Sequence, residues 1–430
     1  MSSVTTMSEV KGRGTYMNVS RDRLSVIGKL IGIYREERRN NTQNGFTLKK
    51  FCEGICSINT LKSIEAGGLS RSEDVYIELL GKLDLKFGEF PVIDEKINEL
   101  IQSIYKDVEY FHIQSLAHEC KRGIRLLENV KEYAYYREIY FILKDLYDYY
   151  KDDILIDDKR IFIYKSLIKN NVFLWGDILK VLLFAKLKIE CKTNLNKYYE
   201  LISELNLFNV KLSCLKLSIL HYYLVSEEYI EMSALIRELE QLYKKNKNYI
   251  RLADVYNYEI ILYSYASKKP IDNIINKVNI VIKENDLPDL KTYELYSNIA
   301  SYYHHKKDFE KALKYYEMML DYYDCIFIPH LIYLADCQNH LNLPIKLPKV
   351  SKEILIGYPM GIRLMFKYFT LDESVPDFVK QNFIIKRILP KVNDEIDIDI
   401  FRYELTRLAE RTGHYKLLHF FENSINMKWS

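Results

Sequence analysis

Glycine and proline are scarce in this 430-residue chain, at 15 and 9 residues, against usual shares of roughly 7% and 5%. So few turn-forming residues argue against a many-stranded β fold and against glycine-rich phosphate loops as an organising feature. Cysteine is thin and unpatterned. Its seven positions (52, 56, 120, 191, 214, 325 and 337) include no C-x-x-C, which suits reduced core thiols in a cytosol better than a disulfide framework. No uncharged run approaches the ~20 residues needed to cross a bilayer, and no charged-then-apolar leader opens the chain. The expectation is a soluble, cytoplasmic protein with no membrane partner. Catalytic signatures are missing as well: the chain has no G-x-x-x-x-G-K-[ST], G-x-S-x-G or H-E-x-x-H. His112, His118 and Cys120 match no common zinc spacing. Neither an enzyme nor a metal or other cofactor is expected.

What is abundant is helix-forming and apolar. With 48% hydrophobic residues and 37 tyrosines, the chain can bury a core without staples and is long enough for two or three domains. Apolar residues recur at three- and four-residue spacing nearly throughout, so the fold class expected is all-α. The formal charge of +3 conceals a division. Residues 1–72 hold twelve Lys/Arg against six Asp/Glu, a net of +6, leaving about −3 for the rest. Positive charge is thus concentrated where phosphates would be met.

Residues 1–20 are polar and unpatterned, and are expected to be disordered. From Arg23 to Arg39, the positions Leu24, Ile27, Leu30, Ile31 and Tyr34 mark an amphipathic helix ending in Arg35, Arg38 and Arg39. Thr47 can cap a short helix with Leu48, Phe51 and Cys52 inward; Gly54 breaks it; Ser57 can cap another from Ile58 to Ala66 with Leu61 and Ile64 inward. Gly67-Gly68 stops that helix, and a fourth follows with Val75, Ile77, Leu79, Leu80 and Leu83 as its apolar positions. Two short helices between two longer ones make a helix-turn-helix arrangement over residues 21–90. With Leu61 and Ile64 inward, Ser57, Asn59, Thr60, Lys62 and Ser63 face outward, Asn59 and Lys62 being the best candidates to read base edges. Thr47, Lys49, Lys50 and Arg71 are better placed to grip phosphate.

The run from Phe51 to Gly67, with Gly54-Ile55-Cys56-Ser57 at its turn and Ile64-Glu65-Ala66-Gly67 at its end, resembles the lambda-repressor-like DNA-binding domain, and particularly the variant found in Gram-positive peptide-pheromone receptors. Cys52 and Ser63 depart from that pattern, which more often carries a small and a basic residue there.

Beyond residue 91 the pattern is helix after helix. Glu294 to Tyr323 sets Tyr296, Ile299, Ala300 and Tyr303 on one helix, then Ala312, Tyr316 and Met319 on a second after Asp308-Phe309, and this resembles a tetratricopeptide repeat. Weaker copies centre on Leu331, Leu334 and Ala335, on Tyr258, Ile261, Leu262 and Tyr265, and on Ile219, Leu220 and Tyr223, with partner helices starting at Tyr229, Ile271 and Phe309. A last pair spans Phe401 to Met427, broken at Thr412-Gly413-His414. Residues 91–430 are therefore expected to form a right-handed α-solenoid whose concave side is lined by the first helix of each pair. On that side would lie Asn298, Ser301 and His305, with Glu259 and Tyr263 before them, Tyr333, Asp336 and His340 after, and Ser218 and His221 further back. Asn298 stands out because a carboxamide can pair with both backbone groups of a bound peptide.

Joined in this order, the two parts resemble the Rgg, PlcR and arbitrium-receptor group of quorum-sensing regulators. The resemblance implies a homodimer that binds double-stranded DNA and switches on a short signalling oligopeptide held in the groove. A protein-interaction scaffold with a DNA-binding head and no peptide ligand is the alternative.

Overall fold

The computed structural model describes residues 19–42, 45–173, 175–191, 194–266, 270–325, 327–372, 374–391 and 395–429. Among these there are helices and no strands, apart from an isolated parallel bridge between Lys86 and Tyr133. No helix among them is long and apolar enough to cross a membrane. The chain divides into two compact units, Met1–Ser226 and Glu227–Ser430, so the boundary expected at residue 90 falls inside the first.

The first unit opens with α1 (Arg21–Thr42), α2 (Leu48–Cys52), α3 (Ile58–Glu65) and α4 (Asp74–Gly81). The capping residues act as their chemistry requires. Thr47 accepts a hydrogen bond from the Lys50 amide at 3.4 Å and Ser57 from the Thr60 amide at 3.1 Å. The turn between α2 and α3 closes on the Cys52 carbonyl, which accepts from the Ile55 and Cys56 amides at 3.0 and 3.1 Å. Gly54 supplies the left-handed residue there, φ +83°. At the far end of α3 Gly67 is again left-handed, φ +89°. The Gly67 and Gly68 amides donate back to the carbonyls of Ile64 and Ser63, both at 2.8 Å, a Schellman closure.

Helix α1 lies so close to α3 that side chains are excluded between them. A Cβ added at Gly28 would stand 2.3 Å from the Ile64 carbonyl oxygen, and one at Gly32 3.0 Å from Glu65 Cβ. Arg35, 3% exposed, clamps the same junction with a fork on Glu65, Nε to Oε1 at 2.5 Å and Nη2 to Oε2 at 2.8 Å. The inward set expected for α4 needs one correction. Ile77 is 41% exposed, and Tyr76 is the buried residue instead, because its hydroxyl ties down the loop after α3 through the Ser70 amide (3.1 Å) and the Gly68 carbonyl (3.2 Å).

Seven α-helices follow among the described residues of the unit: α5 (Pro91–Tyr110), α6 (Ile113–Leu127), α7 (Ala134–Asp152), α8 (Asp158–Lys169), α9 (Gly176–Cys191), α10 (Leu195–Glu204) and α11 (Leu217–Val225). Neighbours in sequence pack together, α5 on α6 and α6 on α7, while α1 packs on α7 and α8. The other flank of α1 is therefore buried too. Arg23 reaches Asp94 at 2.9 Å and the Tyr136 hydroxyl at 3.1 Å while lying 3.4 Å over the Tyr135 ring. Tyr34 donates to the fully buried Glu138 at 2.5 Å, whose other oxygen is held by Arg160 at 2.8 Å. Burial and the adjacent Glu138 carboxylate push the Tyr34 hydroxyl well above its ordinary pKa, so it stays a donor.

Of residues 1–20, for which disorder is expected, 1–18 lie outside the described residues. Val19 and Ser20 are ordered: Val19 is buried and Ser20 is held by Glu89.

The second unit comprises α12 (Tyr229–Lys245), α13 (Tyr249–Ala266), α14 (Asp272–Glu284), α15 (Asp289–His305), α16 (Phe309–Met319), α17 (Ile328–His340), α18 (Lys352–Ile356), α19 (Met360–Phe369), α20 (Asp377–Phe383), α21 (Glu395–Thr412) and α22 (Lys416–Trp429). Helices α12, α14 and α16 begin at or within one residue of the expected starts. The anchor repeat packs as its spacing requires, with Ile299, Ala300, Ala312, Tyr316 and Met319 fully enclosed between α15 and α16. Helix α13 also lies directly against α15, and α15 against α17. The copy expected around Tyr265 is out of register. Tyr265 is 64% exposed, and Tyr256 and Ile260 fill the core. Gly413, φ +71°, separates α21 from α22. Cys52, Cys120, Cys191 and Cys337 are buried free thiols; Cys56 and Cys214 are only partly buried, so the core-thiol expectation is corrected for those two.

The Gly28 contact is backbone, so it cannot be relieved by a rotamer change. Gly28→Ala should destabilise the first unit by about 1–3 kcal/mol, read as a lower urea midpoint. Gly81→Ala, where an added Cβ meets nothing within 4 Å, should leave the midpoint unchanged or raise it.

Candidate functional sites

Helix α3 is amphipathic in the manner expected. Leu61 and Ile64 are buried at 0% and 1% exposure, while Ser57, Asn59, Lys62 and Ser63 are exposed and Thr60 is partly so. Three of the nine candidates on this face are engaged locally. Thr47 and Ser57 cap their helices, and the Ser57 and Thr60 hydroxyls bond each other at 2.8 Å. That leaves Asn59, Lys62 and Ser63 as the outward groups of α3. Lys49 and Lys50 on α2, which packs on α3, and Arg71 in the loop after α3 are exposed as well, and among the described residues none of these three, nor Lys62, takes part in an ion pair.

The charge expectation needs refinement. Arg23, Arg35 and Arg38 contribute to the +6 of residues 1–72 but are held by Asp94, Glu65 and Asp84. Two of those carboxylates lie outside that window, so the basic face rests on the lysines and Arg71 rather than on the arginines of α1.

In the second unit several of the candidate groove residues are engaged by side chains outside the candidate set. Along α15, Glu294, Asn298 and Ser301 are partly exposed and His305 is exposed, an open stripe on a helix otherwise buried from Thr292 to His304. Asn298 donates through Nδ2 to Asn257 on α13 at 3.0 Å, so its carboxamide is oriented and its oxygen is the end left over. Ser301 turns to the Tyr316 hydroxyl at 3.2 Å. Glu259 lies 3.3 Å from Lys277, and Tyr263 is partly buried. Further rungs join the same helices: Asp254 to Lys291 at 2.5 Å, and Tyr293 to His330 Nδ1 at 2.9 Å.

Asp336 corrects the reading of α17. It is 2% exposed rather than lining an open groove, because Oδ2 accepts from His304 Nε2 at 2.8 Å. Tyr333 is stacked on the His304 ring, centroids 5.1 Å apart. His305, Asp336 and His340 nevertheless come together at a cavity of about 550 Å³ whose opposite wall is α21. Sequence reasoning missed the contributions of Phe309, Ile400 and Tyr403 to it; nothing in their local spacing marks them. Ser218 and His221 belong to the other unit, where the Ser218 carbonyl accepts from Tyr198 and His221 is exposed. Among the described residues no group of three or more His, Cys, Asp or Glu could hold a metal ion.

Comparison of the chain with protein-family models, with curated proteins and with solved structures finds no match.

His330 provides a pH test of this packing. Enclosure by Tyr293, Tyr316 and Phe327 lowers its pKa to about 4, whereas unfolded it titrates near 6.5. Between those values the unfolded chain binds the extra proton, so stability is lost as pH falls from about 6.5 to about 4, by up to about 3 kcal/mol. His330→Gln should flatten that part of the pH profile in chemical denaturation, measured as the difference from wild type.

Proposed function

We propose that this chain is a DNA-binding transcription regulator in which residues 21–90 form a helix-turn-helix head, and the helical repeats beyond bind a short signalling peptide. The observation that carries the reading is the outer face of α3. It is a helix seated on α1 by backbone contact, presenting Asn59, Lys62 and Ser63 outward, with Lys49 and Lys50 exposed on the adjoining α2 and Arg71 exposed in the loop after it. Side chains of that kind on a short, firmly held helix suit the major groove, with the flanking cations on phosphate. The resemblance of the Phe51–Gly67 run to lambda-repressor-like domains supports it, and implies a homodimer on two half-sites. For the second unit the support is the open stripe of Glu294, Asn298, Ser301 and His305 along α15, and the readout would be a population shift on peptide binding.

The DNA half is tested by anisotropy titrations of labelled duplexes across a salt series. Lys49→Ala and Lys50→Ala should each weaken all sequences alike and flatten the log–log salt slope by about one unit; an unchanged slope removes them from the phosphate contacts. Asn59→Ala should instead compress the difference between preferred and random duplexes. The peptide half is tested by native mass spectrometry of protein purified from its host, where a co-purified oligopeptide is expected. Asn298→Ala and Asn257→Ala should both weaken that peptide in calorimetry, since the second removes the group that orients the first.

A further inference from the structure

The cavity between the α15–α16 turn, the end of α17 and α21 is lined by a carboxyl group whose hydrogen bonding the protein leaves incomplete. Asp336 is 2% exposed, and only one of its carboxylate oxygens is served, by His304 at 2.8 Å. Oδ1 is buried and accepts no hydrogen bond among the described residues, the nearest cationic candidate being His340 Nε2 at 3.6 Å. Burial holds the His340 pKa below its ordinary value despite the neighbouring carboxylate, so at neutral pH it brings no full charge to Asp336. An unsatisfied buried carboxylate oxygen costs more than an ordinary unmade hydrogen bond.

The surroundings specify the shape of what would answer it. His340 is sandwiched between Phe309 and Tyr403, ring centroids 3.9 and 3.5 Å away and planes within 8° and 21° of parallel. Ile400 adds an apolar surface from α21. The cavity's own guanidinium, Arg402, is turned to Glu422 at 2.9 Å and to Asp399, and Lys307 is exposed at the rim. At about 550 Å³ the space falls within the range of small-molecule sites. An aromatic stack beside a buried acceptor suits a planar cation carried on an apolar stem, which can pack against the stack and donate at once.

We infer that this cavity binds a guanidinium group on an aliphatic stem, with Asp336 Oδ1 as its acceptor and the Phe309–His340–Tyr403 stack as its wall. The group can belong to an arginine side chain of a short peptide or to a free alkylguanidine. The inference rests on the ligand-binding half of the proposal above and on none of its DNA-binding half.

Calorimetry on the full chain distinguishes the sources, using agmatine, N-acetyl-arginine amide, the tripeptide Gly-Arg-Gly, and N-acetyl-citrulline amide as the neutral isostere. Agmatine and both arginine compounds should bind and the citrulline compound should not. Tightening from agmatine to the tripeptide identifies a peptide ligand; equal affinities identify a small free cation. Asp336→Asn should weaken the guanidinium compounds about tenfold or more. Thr406→Phe, which fills the cavity from α21 and leaves Asp336 and His304 in place, should do the same if Asp336→Asn does not fold. No binding of any guanidinium compound by wild type, or equal binding by the citrulline compound, overturns the inference. A host-derived peptide whose affinity is unchanged by both variants overturns it too while leaving the peptide-receptor reading intact. Agmatine binding without any peptide binding does the reverse.

Discussion

Helix α1 must satisfy two partners at once, and the first unit depends on how it does so. One flank meets α3 at backbone distance through Gly28 and Gly32, with Arg35 forked on Glu65. The other carries Arg23 onto Asp94 of α5 and Tyr34 onto Glu138 of α7. Buried cations and hydroxyls of this kind are tolerable only when every one is paired, because an orphaned charge in the interior costs several kcal/mol. The pairing therefore fixes the rotation of α1 about its axis, and with it the orientation of α3. Residues 19–90, apart from 43 and 44, thus share one packed unit with the helices that follow.

In the second unit polar residues do similar work between successive helices. Asp254 to Lys291, Asn257 to Asn298, Tyr293 to His330 and His304 to Asp336 tie α13 to α15 and α15 to α17 at several levels. Such contacts are directional, so they specify how adjacent hairpins sit where apolar packing alone would tolerate sliding. Several polar positions of α15, Lys291, Tyr293 and His304 among them, are taken up by its neighbours in this way. Asn298 occupies both roles, bonded on one side and open on the other.

Much of the local structure was legible in the chain. The caps at Thr47 and Ser57, the glycine stops at 54 and 67, the inward Leu61 and Ile64, and the starts of α12, α14 and α16 follow from short-range rules of spacing and backbone geometry. Residues whose placement depends on a distant partner were not. Nothing beside Asp336 in sequence announces that His304 buries it, and nothing near Tyr403 places it over His340, since those partners lie on other helices. Tyr265 and Ile77 were misplaced because a three- and four-residue rhythm leaves more than one register open, and packing chose the other. The basic count of residues 1–72 overstated the free charge because carboxylates further along the chain cancel part of it.

The way α3 is held divides its residues into two kinds. Its position is set by a glycine pair on α1, a buried arginine, and a Schellman turn at its end that uses the Ser63 carbonyl, and none of these hydrogen bonds is made by the side chain of Asn59, Lys62 or Ser63. The outward side chains can therefore be exchanged with little change to the frame that displays them. A protein built this way can acquire a new surface specificity by a few substitutions on one face, while its folding stability is inherited intact from positions 28, 32, 35, 65 and 67.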